Sequence, residues 1–230
     1  MGGETGMAHS LKWCLMALLL LLSLTARAGG ALQISQAGSG VPLDYTVIEI
    51  DVPKFERPVG LQEHYEIIQR QAQFEPLVTV IPAGASVSFP NQDTTRHQVF
   101  SFSPPKVFSL DLYLRETPPP VHFERPGVEV LGCNIHDPMR AFIVISQAPF
   151  FAMTDKSGYI NLEQLPPGRY PMRIWHPRLE DTHQQWWEGE VDTRLETHVA
   201  LTLKATPTLP AEPSLLQRRF QHGLSHQEHL

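Results

Sequence analysis

Residues 128–145 read VEVLGCNIHDPMRAFIVI. Two runs rich in β-branched and aliphatic side chains, VEVLGC (128–133) and AFIVI (141–145), flank a short stretch holding Asn, Asp and Pro. That is the pattern of two strands joined by a tight loop. The loop GCNIHDPM (132–139) carries a thiol, an imidazole and a thioether, and the chemistry these groups share is donation to a soft or borderline metal ion. Taken singly each has a plainer reading, because a lone buried Cys is often just a small apolar residue and a nearby Met usually packs a core.

The rest of the chain gives the thiol its weight. The N-terminal stretch MAHSLKWCLMALLLLLSLTARAGG has one lysine, an apolar run of roughly ten residues and the small-residue pattern Ala26-Arg27-Ala28, which reads as a secretory signal peptide over 1–28. Cleavage after Ala28 removes Cys14, one of two cysteines, and leaves Cys133 unpaired in a chain bound for an oxidising compartment. Such a thiol needs burial, an intermolecular bond or a metal. Cleavage also leaves no stable membrane span, and it moves the formal charge from −6 to −7, which argues against nucleic acid and anionic lipid surfaces as partners.

Strand signals recur at short spacing with Pro, Gly, Asn and Asp between them, and no long segment keeps a 3.6-residue apolar period. The fold class is therefore all-β. Further strands are expected at YTVIEI (45–50), LVTVI (77–81), ASVSF (85–89) and HQVFSF (97–102), while VGLQEHYEIIQR (59–70) fits either helix or strand. After Ile145 the chain becomes hairpin-rich: Asp155-Lys156-Ser157-Gly158 and Pro166-Pro167-Gly168 are turns between strands at 159–162 and 170–175, with a last strand at 198–204. Residues 29–147 are thus expected to form the metal-bearing domain and 148–204 a small β module. The segment 205–230, with His222, His226 and His229, reads as a polar tail.

Copper asks for a thiolate, two imidazoles and a weak axial thioether in a geometry both oxidation states tolerate. Cys133, His136 and Met139 supply three of these donors, and His97, after the break Pro90-Asn91-Gln92-Asp93, is the candidate for the fourth. Pro138 stiffens the backbone between two of them and lowers the entropy lost on ordering the loop. Zinc accepts Cys and His but seldom a thioether, so it fits the set less well.

The pair NQDTTRHQVFSF and GVEVLGCNIHDPM resembles the copper-binding pattern of cupredoxins of the plastocyanin, pseudoazurin and amicyanin group, with the short C-x2-H-x2-M loop nearest amicyanin. The run through FPNQD, SFS, GCNIHDPM, TDKSG, LPPG and WHP is similar to bacterial exported proteins of the methylamine utilization or plastocyanin-like type. The resemblance implies a Greek-key β-sandwich with one type 1 copper ion held by His97, Cys133, His136 and Met139. It further implies electron transfer through His136, beneath an apolar patch. Gln98 stands where asparagine often follows the first histidine in that family, so the usual bond from that position to the cysteine loop is not implied. The TDKSG, LPPG and WHP motifs resemble transthyretin-like or carboxypeptidase-regulatory β modules.

His122 reads as a solvent-facing strand residue, Arg96 as a surface arginine, and Trp175, Trp186 and Trp187 as core of the small module rather than a sugar platform. No GxSxG, HExxH or P-loop occurs, and no second set of histidine pairs suggests a multicopper enzyme. The expectation is a periplasmic, non-enzymatic carrier of single electrons between a redox-protein donor and acceptor. Copper carriage, storage or sensing with the same ligands, and a metal-free adhesion or scaffold sandwich, are the competing readings.

Overall fold

The computed structural model describes residues 30–56 and 64–205. The expected signal segment, residues 59–63 and the tail beyond 205 with its three histidines lie outside them. Every described element is a strand. In chain order these begin with β1 (Ala31–Gln36), β2 (Val47–Ile50), β3 (His64–Glu66), β4 (Ile68–Arg70), β5 (Gln73–Glu75) and β6 (Val78–Pro82). They continue with β7 (Ala85–Ser88), β8 (Phe100–Ser101), β9 (Phe108–Ser109), β10 (Val121–Phe123), β11 (Gly127–Gly132) and β12 (Arg140–Ser146). The last are β13 (Phe150–Met153), β14 (Tyr159–Asn161), β15 (Arg169–Trp175), β16 (Trp187–Asp192) and β17 (Glu196–Leu201). No helix among the described residues is long and apolar enough to cross a membrane.

Two sandwiches result. In the first, the sheet β6-β12-β11-β8-β9 faces the sheet β10-β7-β3 across a core of Ile67, Val87, Phe89, Phe123, Leu131, Ile143 and their neighbours. β12 is buried along almost its whole length, as its unbroken apolar run requires of a central strand packed on both faces. β10 shows the alternating pattern of a strand with one wet face: Val121 and Phe123 point inward and His122 outward. In the second, β13-β2-β15-β16 faces β14-β1-β17 across Leu32, Ile34, Ile48, Ile50, Leu162 and Ile174.

The strand pairing corrects the expected division of the chain. The expected metal-bearing domain, 29–147, includes residues 29–52, but β1 pairs with β14 and β17, and β2 pairs with β13 and β15. The reason is hydrophobic pairing at long range: ALQIS and VIEI bury their apolar side chains against the C-terminal strands, a partnership that local spacing does not reveal. The sandwich bearing Cys133 therefore sits between β2 and β13 in the chain. HQVFSF also departs from expectation, because only Phe100 and Ser101 join the ladder while His97 makes an isolated bridge to Tyr113.

A third apolar cluster joins the two sandwiches. Val78, Val128, Phe142 and Val144 of the first pack on Val47, Trp175 and Leu179 of the second, with Phe142 and Trp175 in edge contact at 5.4 Å. Trp175 is fully buried and its Nε1 donates to Thr182 O at 2.8 Å, so its indole is core and not a ligand platform. Trp175→Ala is expected to cost about 3–5 kcal/mol and to lower the denaturant midpoint of both sandwiches together. Chemical unfolding followed separately by near-ultraviolet and far-ultraviolet circular dichroism checks this; two separated transitions would contradict a shared core.

Candidate metal centre

Register builds the site. Gly132 at the end of β11 is paired on one side with Arg140 of β12 and on the other with Phe100 of β8. The chain from Cys133 to Met139 must therefore reverse across one inter-strand spacing, and the Met139 amide closes the turn by donating to His136 O at 2.9 Å. A Cβ at Gly132 would lie 2.7 Å from the Phe100 ring, so glycine is what lets β8 approach this loop. That approach brings in His97, which lies three residues before Phe100.

His97 is pinned at its backbone and at its ring. Its N–H and C=O exchange hydrogen bonds of 3.1 Å with Tyr113. Asn91, itself buried, holds the preceding loop by donating from Nδ2 to Thr95 O at 3.0 Å and Tyr113 O at 2.8 Å. The ring Nε2 lies 2.7 Å from Asp93 Oδ2. Asp93 also accepts from the amides of Ala72 and Gln71, at 2.8 and 2.9 Å in the β4–β5 turn. The Ala72 amide first, then the His97 ring and the Gln71 amide, outweigh burial and hold its carboxyl below the usual carboxylate range. An ionised Asp93 can only accept, so Nε2 of His97 carries the hydrogen and Nδ1 presents a bare lone pair.

That lone pair points at the other donors. His97 Nδ1 is 3.1 Å from His136 Nδ1 and 4.0 Å from Cys133 Sγ, and His136 Nδ1 is 3.9 Å from Cys133 Sγ. The point equidistant from these three atoms lies about 2.1 Å from each, close to the N and S bond lengths of a bound transition ion. Among the described residues this is the one group of three His, Cys, Asp or Glu side chains close enough to share an ion. His97 and Cys133 are buried and His136 is half-buried. Met139 is buried in the same apolar cluster as Cys133. Of the four residues singled out by sequence, three thus converge on one point and the fourth lines the same core. The donor set fits copper: thiolate and imidazole in an enclosed site, with a thioether alongside.

Two supports were not legible in advance. Asn134 Nδ2 donates to Gln98 Oε1 at 2.6 Å, so the cysteine loop is braced from the position after His97 even though glutamine stands there. Asp93 as the His97 partner could have been suspected from its place four residues before a candidate ligand, since ligand histidines generally give their second N–H to a carboxylate or carbonyl. His122 bonds Ser86 Oγ at 3.1 Å on the exposed face of β10 and takes no part. Arg96 is exposed.

No family model and no curated protein matches this chain. Among solved structures it is similar to a purple cupredoxin from Nitrosopumilus maritimus, at 23% identity over 36% of this chain and 99% of that one, with a TM-score of 0.31. It is similar also to a copper-containing nitrite reductase from Thermus scotoductus SA-01, at 24% identity over 49% of this chain, with a TM-score of 0.35. The matched part spans 30% of that reductase. A reduced amicyanin variant matches at 17% identity over 43% of this chain and 99% of its own length, with a TM-score of 0.33.

If Asp93 orients His97, Asp93→Asn should weaken metal binding by about 10–100-fold, read by competition against a chelator of known affinity. Unchanged affinity would leave Asp93 as a brace of the β4–β5 turn alone.

Proposed function

We propose that this chain is an exported, periplasmic copper protein of the cupredoxin type that carries single electrons between redox proteins. The observation that carries the reading is the convergence of His97 Nδ1, His136 Nδ1 and Cys133 Sγ on one point, in a buried site with the His97 tautomer set by Asp93. In this reading Met139 is the weak axial donor. Copper bound here supplies a one-electron couple. The protein's part is to keep the donors where both oxidation states accept them, so that little reorganisation accompanies each transfer.

The four supports named above do this mechanically. The β11–β12 register holds Cys133 and Met139 at the two ends of one loop, Gln98 braces Asn134, Tyr113 fixes the His97 backbone and Asp93 fixes its ring. Burial of Cys133 keeps oxidants and other thiols from the sulfur. His136 alone of the three donors is partly exposed, and it serves as the electron port. Ile135, next to it, and Leu112 and Leu114, on either side of Tyr113, are exposed at 50%, 44% and 36%. They form the apolar rim on which a partner seats. The motif resemblance to exported proteins of the methylamine utilization type supports this reading, in which the donor and acceptor are redox proteins of the periplasm.

The Cu(II)-loaded protein should show an intense visible thiolate-to-copper band that Cys133→Ser abolishes. Absence of the band, or its survival in the variant, sinks the type 1 assignment. Reversible voltammetry with fast self-exchange, slowed at least severalfold by Ile135→Glu, supports the carrier role. Quantitative release of Cu(I) to an acceptor protein without a reversible couple would assign the site to copper carriage instead.

A further inference from the structure

Glu129 lies in the middle of β11, a strand otherwise built of Gly, Val and Leu, and it is fully buried. It shares the inward-facing parity of Leu131 and Cys133 on that strand. Among the described residues no salt bridge reaches it. Its Oε2 accepts from Ser101 Oγ at 2.5 Å, while Oε1 has no hydrogen-bond partner. An isolated polar atom in such a place costs stability, so a role for it is worth seeking.

The serine leads outward. Ser101 Oγ is 3.0 Å from Ser103 Oγ, and Ser103 is held by the Val130 amide at 2.8 Å. Ser103 also lines an open cleft of about 510 Å³ whose wall includes Cys133 and Met139. Glu129, Ser101 and Ser103 thus form a continuous hydroxyl chain from a buried carboxyl to solvent beside the metal centre. The chain neither touches the three donors nor takes part in bracing them.

We propose that this chain is a proton relay, and that Glu129 takes up a proton when the centre described above accepts an electron and gives it back on oxidation. The inference rests on the electron-carrier reading. One electron arrives from the donor protein and adds one negative charge near Cys133. One proton then leaves water in the cleft: Ser103 passes its hydroxyl proton to Ser101 and is refilled from the cleft, and Ser101 passes its own to Glu129 Oε2. Oxidation reverses each transfer, so protons and electrons balance over the cycle.

The environment suits a group that titrates in the working range. Burial, partly offset by the Ser101 hydroxyl and by Lys106 and Arg125, pushes the Glu129 carboxyl up to about 7. The charged groups facing it are Lys106, between β8 and β9, and Arg125, between β10 and β11. Its ladder neighbour on β12 is Ile143, and the charged and titratable residues of the cleft are Asp137, Arg140 and His183. Glu129 precedes Cys133 by four positions, about 13 Å at the usual strand rise. At an effective dielectric of about 20, one unit charge at that distance changes proton affinity by about tenfold.

The test uses the copper-loaded full chain and its Glu129→Gln variant, which is isosteric and should keep the thiolate band. Spectroelectrochemical midpoints taken across neutral pH should fall between two plateaus in the parent, with proton affinities of the oxidised and reduced forms about tenfold apart. They should be flat over the same range in Glu129→Gln. In parallel, the redox-induced infrared difference spectrum should contain a protonated-carboxyl band that shifts in heavy water and is lost in the variant. A parent with a reversible couple but no pH dependence overturns the relay and leaves the carrier reading standing, as does a dependence that persists in Glu129→Gln. A parent without a reversible couple overturns both.

Discussion

Everything at this centre depends on the register at Gly132. Because that residue is paired simultaneously with Arg140 and Phe100, the two neighbouring strands converge at one height on β11. The loop from Cys133 to Met139 has to close within a spacing of about 5 Å. Slipping either pairing by one residue would turn Cys133 to the opposite face of the sheet and move His97 away from it. The distances of 3.1 to 4.0 Å among the three donors are thus a consequence of backbone pairing before any side chain chooses a rotamer. Side-chain bonds then remove what freedom is left, and Asp93 does so for the one ligand that comes from outside the loop.

The second sandwich is tied to the first in a way that explains how the unit carrying His97, Cys133 and His136 can sit inside another fold. β2 and β13, which precede and follow it in the chain, are antiparallel neighbours with Phe150 opposite Ile50. Entry and exit therefore lie side by side, the condition under which an inserted unit leaves its host fold undisturbed. What makes the two move as one is the cluster around Trp175, which covers the outer face of β6, β11 and β12. That cover ends where the cleft begins, and His183 of the second sandwich reaches across it to Val128 O at 3.3 Å.

Alternation and turn chemistry made the all-β class and most strands visible, since β6, β7, β11, β12, β14, β15 and β17 fall within a few residues of their expected places. The candidate donor group stood out for a different reason, since soft donors rarely crowd a single loop by chance, and three of its side chains lie close together. What stayed hidden depends on partners distant in sequence. The partners of β1 and β2 lie far along the chain, and nothing local says that VIEI will meet Phe150 and Met172. The Gln98 to Asn134 bond was invisible because 36 residues lie between them. In the sequence Glu129 is one polar residue in a strand, and only burial on every side marks it out.

Asp93 and Glu129 show how one chemical group acquires two roles from its surroundings. Both carboxyls lie near the same centre and both are partly stripped of water. Asp93 receives two backbone amides and an imidazole N–H, fixed donors that stabilise the anion more than burial penalises it, and so it remains charged and orients a ligand. Glu129 has one well-formed hydrogen bond, from the Ser101 hydroxyl, with smaller help from Lys106 and Arg125, and there desolvation prevails. Donor number and depth act together, because Asp93 keeps part of its side chain in solvent whereas Glu129 is fully enclosed. A carboxyl with enough donors is a fixed charge, whereas one with too few becomes a group whose protonation a nearby charge can shift.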